Sequence, residues 1–136
     1  MIIRLGIVLV TLYGFAMPAF AASIDGTQRL ICSTIRTAEC GTSGDCNVGL
    51  ASDINFPQFF HIDFANNRVE ATRPDGSEFN TAFTLTARDN EPLVLQGSEN
   101  ARGWSATIDR ETGRIVVAAS GSDVAFVVFG ACIYPG

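Results

Sequence analysis

The sequence predicts an all-β protein: an antiparallel meander of about eight strands, closed as a small up-and-down barrel of the lipocalin or avidin shape. Three observations carry this. Apolar and polar residues alternate with period two in several short stretches, and the region after residue 22 shows no amphipathic helical pattern. Clusters of Asn, Asp, Gly and Pro separate those stretches at short intervals. Finally, residues 124–132 are apolar on both faces, and such a strand needs a neighbour on its far edge, which closing the sheet supplies.

The chain opens with one positive charge at Arg4 and an apolar run at 5–15. That run is shorter than the roughly 20 residues a membrane span needs. Pro18 and the small residues of Ala19-Phe20-Ala21 follow. This is the pattern of a secretory signal cut after Ala21 or Ala22, with a retained membrane anchor as the alternative. The first cysteine is Cys32, too far on for a lipoprotein anchor. Residues 22–136 then make a single disulfide-stabilised β domain of ordinary size.

The first strand is expected near 28–35, followed by an irregular segment at 36–56 rich in Gly and Ser. This segment either caps one end of the barrel or carries function. Residues 46–50 have a second option, pairing with an extended first strand as a small hairpin. From 59 to 132 the chain reads as seven strands and six turns. Phe60, Ile62 and Phe64 alternate with His61 and Asp63, which face outward. Asn66-Asn67 and Pro74-Asp75-Gly76 make the first two turns, since Asn and Gly tolerate positive φ and Pro presets the negative φ that opens a turn. Phe79, Thr81, Phe83 and Leu85 share the inner face of the next strand. Turns follow at 89–92, 97–103, 109–113 and 120–123, with Trp104, Ala106 and Ile108 inward between the second and third of them. An open or sandwiched sheet is the alternative architecture. Eight strands enclose either a core filled with side chains or room for one small ligand.

Four cysteines in an exported chain read as two disulfides. Of three connectivities, Cys40–Cys46 with Cys32–Cys132 is favoured. The first pair spans a short turn-forming stretch, and the second joins the first strand to the last. No Cys-x2-Cys pair occurs and His61 is the one histidine, so the spacing does not suit zinc.

All nine basic residues are arginine, and the net charge is −5. The basic footprint that nucleic-acid binding requires is missing, and the sign disfavours anionic lipid. No membrane span is expected in the mature form. The sequence carries no P-loop, dinucleotide fingerprint, Cys-x-x-Cys motif, EF-hand or Gly-x-Ser-x-Gly elbow, so no cofactor, metal or catalytic residue is assigned. His61 with Asp63 would be half of a base system in a hydrolase, but an exposed polar pair is the simpler reading. The acids Asp89, Glu91, Asp109, Glu111 and Asp123 fall in or beside turns, where solvation explains them before sugar hydrolysis or calcium does.

Candidate contact residues for a ligand or partner are Trp104, Arg102, Arg114, Ser120 and Ser122. Trp104 either anchors the core or stacks on a ligand at the barrel mouth, and its apolar neighbours favour the core. Arg102 and Arg114 flank the Trp104 strand and either clamp an anion or pair with nearby acids.

The stretch from Glu39-Cys40 through Cys46 to Asn55-Phe56-Pro57-Gln58-Phe59-Phe60, with the ending Phe126-Val127-Val128-Phe129-Gly130-Ala131-Cys132, resembles a group of small exported proteins of Gram-negative bacteria, generally labelled uncharacterised. That resemblance implies the periplasm and brings no activity. A much weaker one is to the bacterial inhibitors of C-type lysozyme, through Ser120-Gly121. Val124 stands where that family has Tyr, and Trp104 is followed by Ser105 rather than by Lys-Gly. The expectation is therefore a non-enzymatic binding module, periplasmic or secreted, for a small apolar or amphipathic ligand. An interaction or inhibitor role against an envelope protein is the alternative, and a hydrolase using His61 a further one.

Overall fold

The computed structural model describes residues 22–136, so the expected secretory signal at 1–21 lies outside the described residues. Ten strands follow one another: β1 (Leu30–Gly41), β2 (Cys46–Gly49), β3 (Phe59–Asp63), β4 (Arg68–Thr72), β5 (Glu78–Ala82), β6 (Thr84–Thr86), β7 (Leu93–Glu99), β8 (Arg102–Ile108), β9 (Arg114–Ser120) and β10 (Val124–Ile133). A single 3-10 turn at Ala51–Ile54 is the one helical element among them.

All pairings are antiparallel, in the order β5-β4-β3-β1-β10-β9-β8-β7-β6, with β2 beside the upper part of β1. β5 and β6 are two halves of one bent strand. The first half pairs with β4 and the second with β7, so the sheet curls round to meet itself. This is the predicted barrel, closed except for one seam where β5 passes the upper end of β7 without a backbone ladder. Thr81 bridges that seam by donating from its hydroxyl to the Ser98 carbonyl, at 3.3 Å.

First and last strands meet as expected. Cys32 lies directly opposite Cys132 in the β1–β10 ladder, and both predicted disulfides form, Cys32–Cys132 and Cys40–Cys46. Between Thr34 and Arg36 the ladder slips by one residue, a β-bulge that leaves Ile35 on the outside. The extra residue reverses the face of everything beyond it, so Thr34 and Thr37 are both buried although they are three apart.

One end of the barrel is packed solid. Leu30, Phe64, Phe83, Leu93 and Ile108 fill it, and Ile24 closes it from below, its N–H donating to the Arg110 carbonyl at 2.8 Å. Tyr134 ties the segment before β1 in place by donating to the Ser23 carbonyl and accepting from the Asp25 N–H.

Four expectations need adjustment. The first strand runs on to Gly41, and Cys46–Gly49 folds back on it with Cys40 opposite Cys46, so the hairpin option is the real one. The expected turn at 97–103 shrinks to Asn100 and Ala101, both at positive φ. Gly97 and Gly103 are strand residues, and Gly97 is there for space. A Cβ on it would lie 2.5 Å from the Ala82 carbonyl oxygen and 2.6 Å from the Trp104 ring. The expected strand over 79–86 is divided at Phe83: its N–H still reaches the Asn67 carbonyl on the β4 side, and from Thr84 on the chain pairs with β7 instead. Finally, β10 is flanked on both edges but is not covered on both faces: Phe129 is 46% exposed and Ile133 65%.

Candidate functional site

The other end of the barrel is hollow. Strand alternation points Phe60, Ile62, Val69, Leu95, Ile115 and Val128 into it, while Ala106 and Ala119 are too small to fill the space in front of them. What remains is a cavity of about 210 Å³ with a largely apolar wall. The interior is therefore filled below and open above.

The segment after β2 forms part of the rim. Three contacts latch it to β1 at the bulge: the Thr34 hydroxyl donates to the Pro57 carbonyl, the Gln58 amide to the Thr34 carbonyl, and the Thr37 hydroxyl to the Leu50 carbonyl. The 3-10 turn ends at Asn55 in the left-handed region, φ 50°. Its side-chain amide donates to Asp75 at 2.9 Å, joining the segment to the β4–β5 turn. Hydrogen bonds from the Ser77 hydroxyl, the Ser77 N–H and Asn55 hold the Asp75 carboxyl below the usual range. So anchored, Phe56 meets Phe60 and Phe79 edge-on, with ring centroids 5.8 and 6.0 Å apart. The irregular stretch at 36–56 thus resolves into a hairpin and a partial cap over the cavity.

Three charged side chains line the mouth: Arg73, Glu99 and Arg102. Arg73 and Glu99 pair across the seam at 3.3 Å, both largely buried, and the Arg73 guanidinium lies 4.8 Å from the centre of the Phe79 ring. Arg102 is the direct cross-strand partner of Glu99, yet Glu99 turns to Arg73 instead. The Arg102 guanidinium reaches over the Phe126 ring, 5.4 Å from its centre, and makes no ion pair or hydrogen bond among the described residues.

Trp104 is both a core residue and part of the cavity wall. It packs on the core, covers Gly97, and presents its ring to the cavity, with Nε1 donating to the Thr81 hydroxyl at 3.4 Å. Arg102 and Trp104 are thus brought together. Arg114 is not: it opens β9 at the filled end, beside Ala131, so the two arginines stand at opposite ends of the β8–β9 pair and cannot clamp one anion. Ser120 lies at the outer face, in a shallow groove with Gly103 and Val127, and Ser122 is exposed in the β9–β10 turn.

No hydrogen bond joins His61 to Asp63 among the described residues. Both Asp63 oxygens accept from Asn66, one from its N–H and one from its side-chain amide, which lowers the Asp63 pKa and commits it to the turn. Asp109 is held in the same way by Thr112 and Glu111, at the end away from the cavity. No cluster of three metal-ligating side chains exists among the described residues, and no described helix is long and apolar enough to cross a membrane.

Arg73, Glu99, Phe56 and Phe126 are cavity residues that sequence reasoning missed. The signal for the first two was present. Arg73 continues the inward parity of Val69 and Ala71, and Glu99 that of Leu93 and Leu95. A charge on the inward phase at a strand's end marks a rim. Comparison of the chain with protein-family models, with curated proteins and with solved structures returns no match.

Proposed function

We propose that this chain is an exported, non-enzymatic binding protein, periplasmic or secreted, that holds one small apolar or amphipathic molecule in the open half of its barrel. The observation that carries the reading is the cavity of about 210 Å³, walled by apolar side chains and rimmed by a few fixed polar ones. An apolar cavity of about 150 Å³ accepts a benzene-sized molecule. At about 210 Å³ this one has room for a single ring or a short alkyl chain. Export is supported by the two disulfides, which persist in oxidising compartments.

Trp104 supplies the test, because it is the one tryptophan and it faces the cavity. Titration with 1-octanol is expected to shift its emission in a saturable way. Ala106→Leu, which fills the cavity from its wall, is expected to abolish that shift while the protein remains folded. A wild-type emission that does not respond to octanol or to aromatic probes refutes the reading. Native mass spectrometry of protein from its producing cells would identify a retained ligand by the mass that denaturation releases.

An interaction role is the second reading, favoured by the bare outer face of β1, β9 and β10, where Ile35, Val116, Phe129 and Ile133 are exposed. Its lysozyme-inhibitor version falls if micromolar protein leaves C-type lysozyme fully active.

A further inference from the structure

We infer that the cavity selects amphiphiles with a single negative charge, a carboxylate foremost, and that Arg102 is the residue that reads that charge. This rests on the binding function proposed above and adds the class of ligand.

The argument begins with the charges at the mouth. The chain as a whole is acidic, at −5, yet the charged side chains lining the cavity are two arginines and one glutamate. The single carboxylate is spent on Arg73, at 3.3 Å. Arg102 therefore faces the cavity with its positive charge unanswered, although Glu99 stands directly opposite it in the β7–β8 ladder. The arrangement is directional: Arg73 pulls Glu99 toward the seam, and Phe126, two strands along the sheet on β10, supports the other guanidinium from the opposite side. Held over that ring face, the guanidinium keeps its N–H edge available for an anion, and a fork of two N–H donors matches the two oxygens of a carboxylate.

The depth of the site fits the same ligand. Below Arg102 the wall passes from Trp104 to Ala106 and Ile115 without another charge. A molecule with its head at Arg102 can bury a short chain or a single ring and leave no polar atom stranded. A cationic head would meet Arg102 at the rim, and a neutral hydroxyl would gain only an ordinary hydrogen bond.

The test compares octanoate, 1-octanol and octylammonium on the purified, disulfide-bonded protein, by calorimetry and Trp104 emission. Octanoate is expected to bind at least roughly tenfold more tightly than octanol, the scale of a hydrogen bond to a charged group. Octylammonium is expected to bind most weakly. Arg102→Gln should bring octanoate down to about the affinity of octanol, while octanol, whose hydroxyl a Gln amide can still meet, still binds, which a general loss of structure would not allow. Added salt should weaken octanoate in the wild type and not octanol. Equal binding of octanoate and octanol, or an octanoate affinity indifferent to Arg102→Gln, overturns the charge selection while leaving the cavity function standing. Failure of all three probes to bind overturns both.

Discussion

Removing the Cys32–Cys132 bond should cost this protein far more stability than removing Cys40–Cys46. The paired variants are Cys32→Ala with Cys132→Ala, and Cys40→Ala with Cys46→Ala. The bonds close loops of very different length, with sequence separations of 100 and 6. In the chain-entropy model these correspond to about 4.7 and about 2.2 kcal/mol at 25 °C. Burial widens the gap. Cys32 and Cys132 are 1% and 2% exposed, so their loss also leaves a void worth about 1 kcal/mol, whereas Cys46 is exposed on the hairpin. The predicted difference is therefore about 3–4 kcal/mol, or roughly 10–15 °C in Tm for a domain of this size. Urea unfolding without reductant, followed by far-UV circular dichroism and by Trp104 emission, measures it. Equal losses in the two variants, or the larger loss at Cys40–Cys46, would refute the view that the bond between first and last strands holds the barrel closed.

Three further outcomes follow from the geometry. Gly97→Ala would drive a methyl group into the Ala82 carbonyl and the Trp104 ring, and should cost about 2–3 kcal/mol with a changed near-UV signal from Trp104. Glu99→Gln would release Arg73 and leave the mouth with two unanswered arginines. It should raise octanoate affinity roughly three- to tenfold by calorimetry, the opposite sign to Arg102→Gln. Asp25, Asp63, Asp75 and Asp109 all have folded pKa values below the ordinary 3.8, each chiefly through hydrogen bonds within its own turn, with Tyr134 adding to Asp25 and Asn55 to Asp75. A depressed carboxyl stabilises the fold fully above its unfolded pKa and stops doing so as pH falls through the folded value. The contribution of these four should thus be constant above about pH 5, begin to fall as pH drops through the ordinary carboxyl value, and be gone only once pH has passed below the folded values. Asp109→Asn keeps an acceptor oxygen and should flatten that acid slope in urea midpoints taken from pH 7 to pH 2.

Much of the fold was legible because its signals are local. Alternation placed Phe60, Ile62 and Phe64 inward and His61 outward, since period two is a property of a few neighbouring residues. Asn66-Asn67 and Pro74-Asp75-Gly76 announced their turns through backbone preferences of single residues, and Asn67 and Gly76 indeed take positive φ. The favoured cysteine pairing was accessible because Cys40 and Cys46 flank a short turn-forming stretch while Cys32 and Cys132 fall in the first and last strands. The candidate site was only half legible: Trp104 and Arg102 stood out, but their companions Arg73 and Glu99 did not.

What the tertiary structure alone decided involves distant residues. The bulge at Ile35 reverses the face of β1 and so buries Thr37, which latches the segment carrying Phe56. No local pattern announces a one-residue slip between strands a hundred residues apart. Glu99's choice of Arg73 over its ladder partner Arg102 depends on β5 passing β7 at the seam, which brings the β4–β5 turn that carries Arg73 to Glu99. The bareness of β10's outer face likewise depends on no second layer packing there, which an apolar sequence cannot reveal. Sequence by itself determined most of the strands, turns and faces and favoured the disulfide pairing that formed, because those follow from periodicity and backbone preference. The cavity, its charge balance and its unpaired arginine came from closure, because a cavity is space that many separate strands decline to fill.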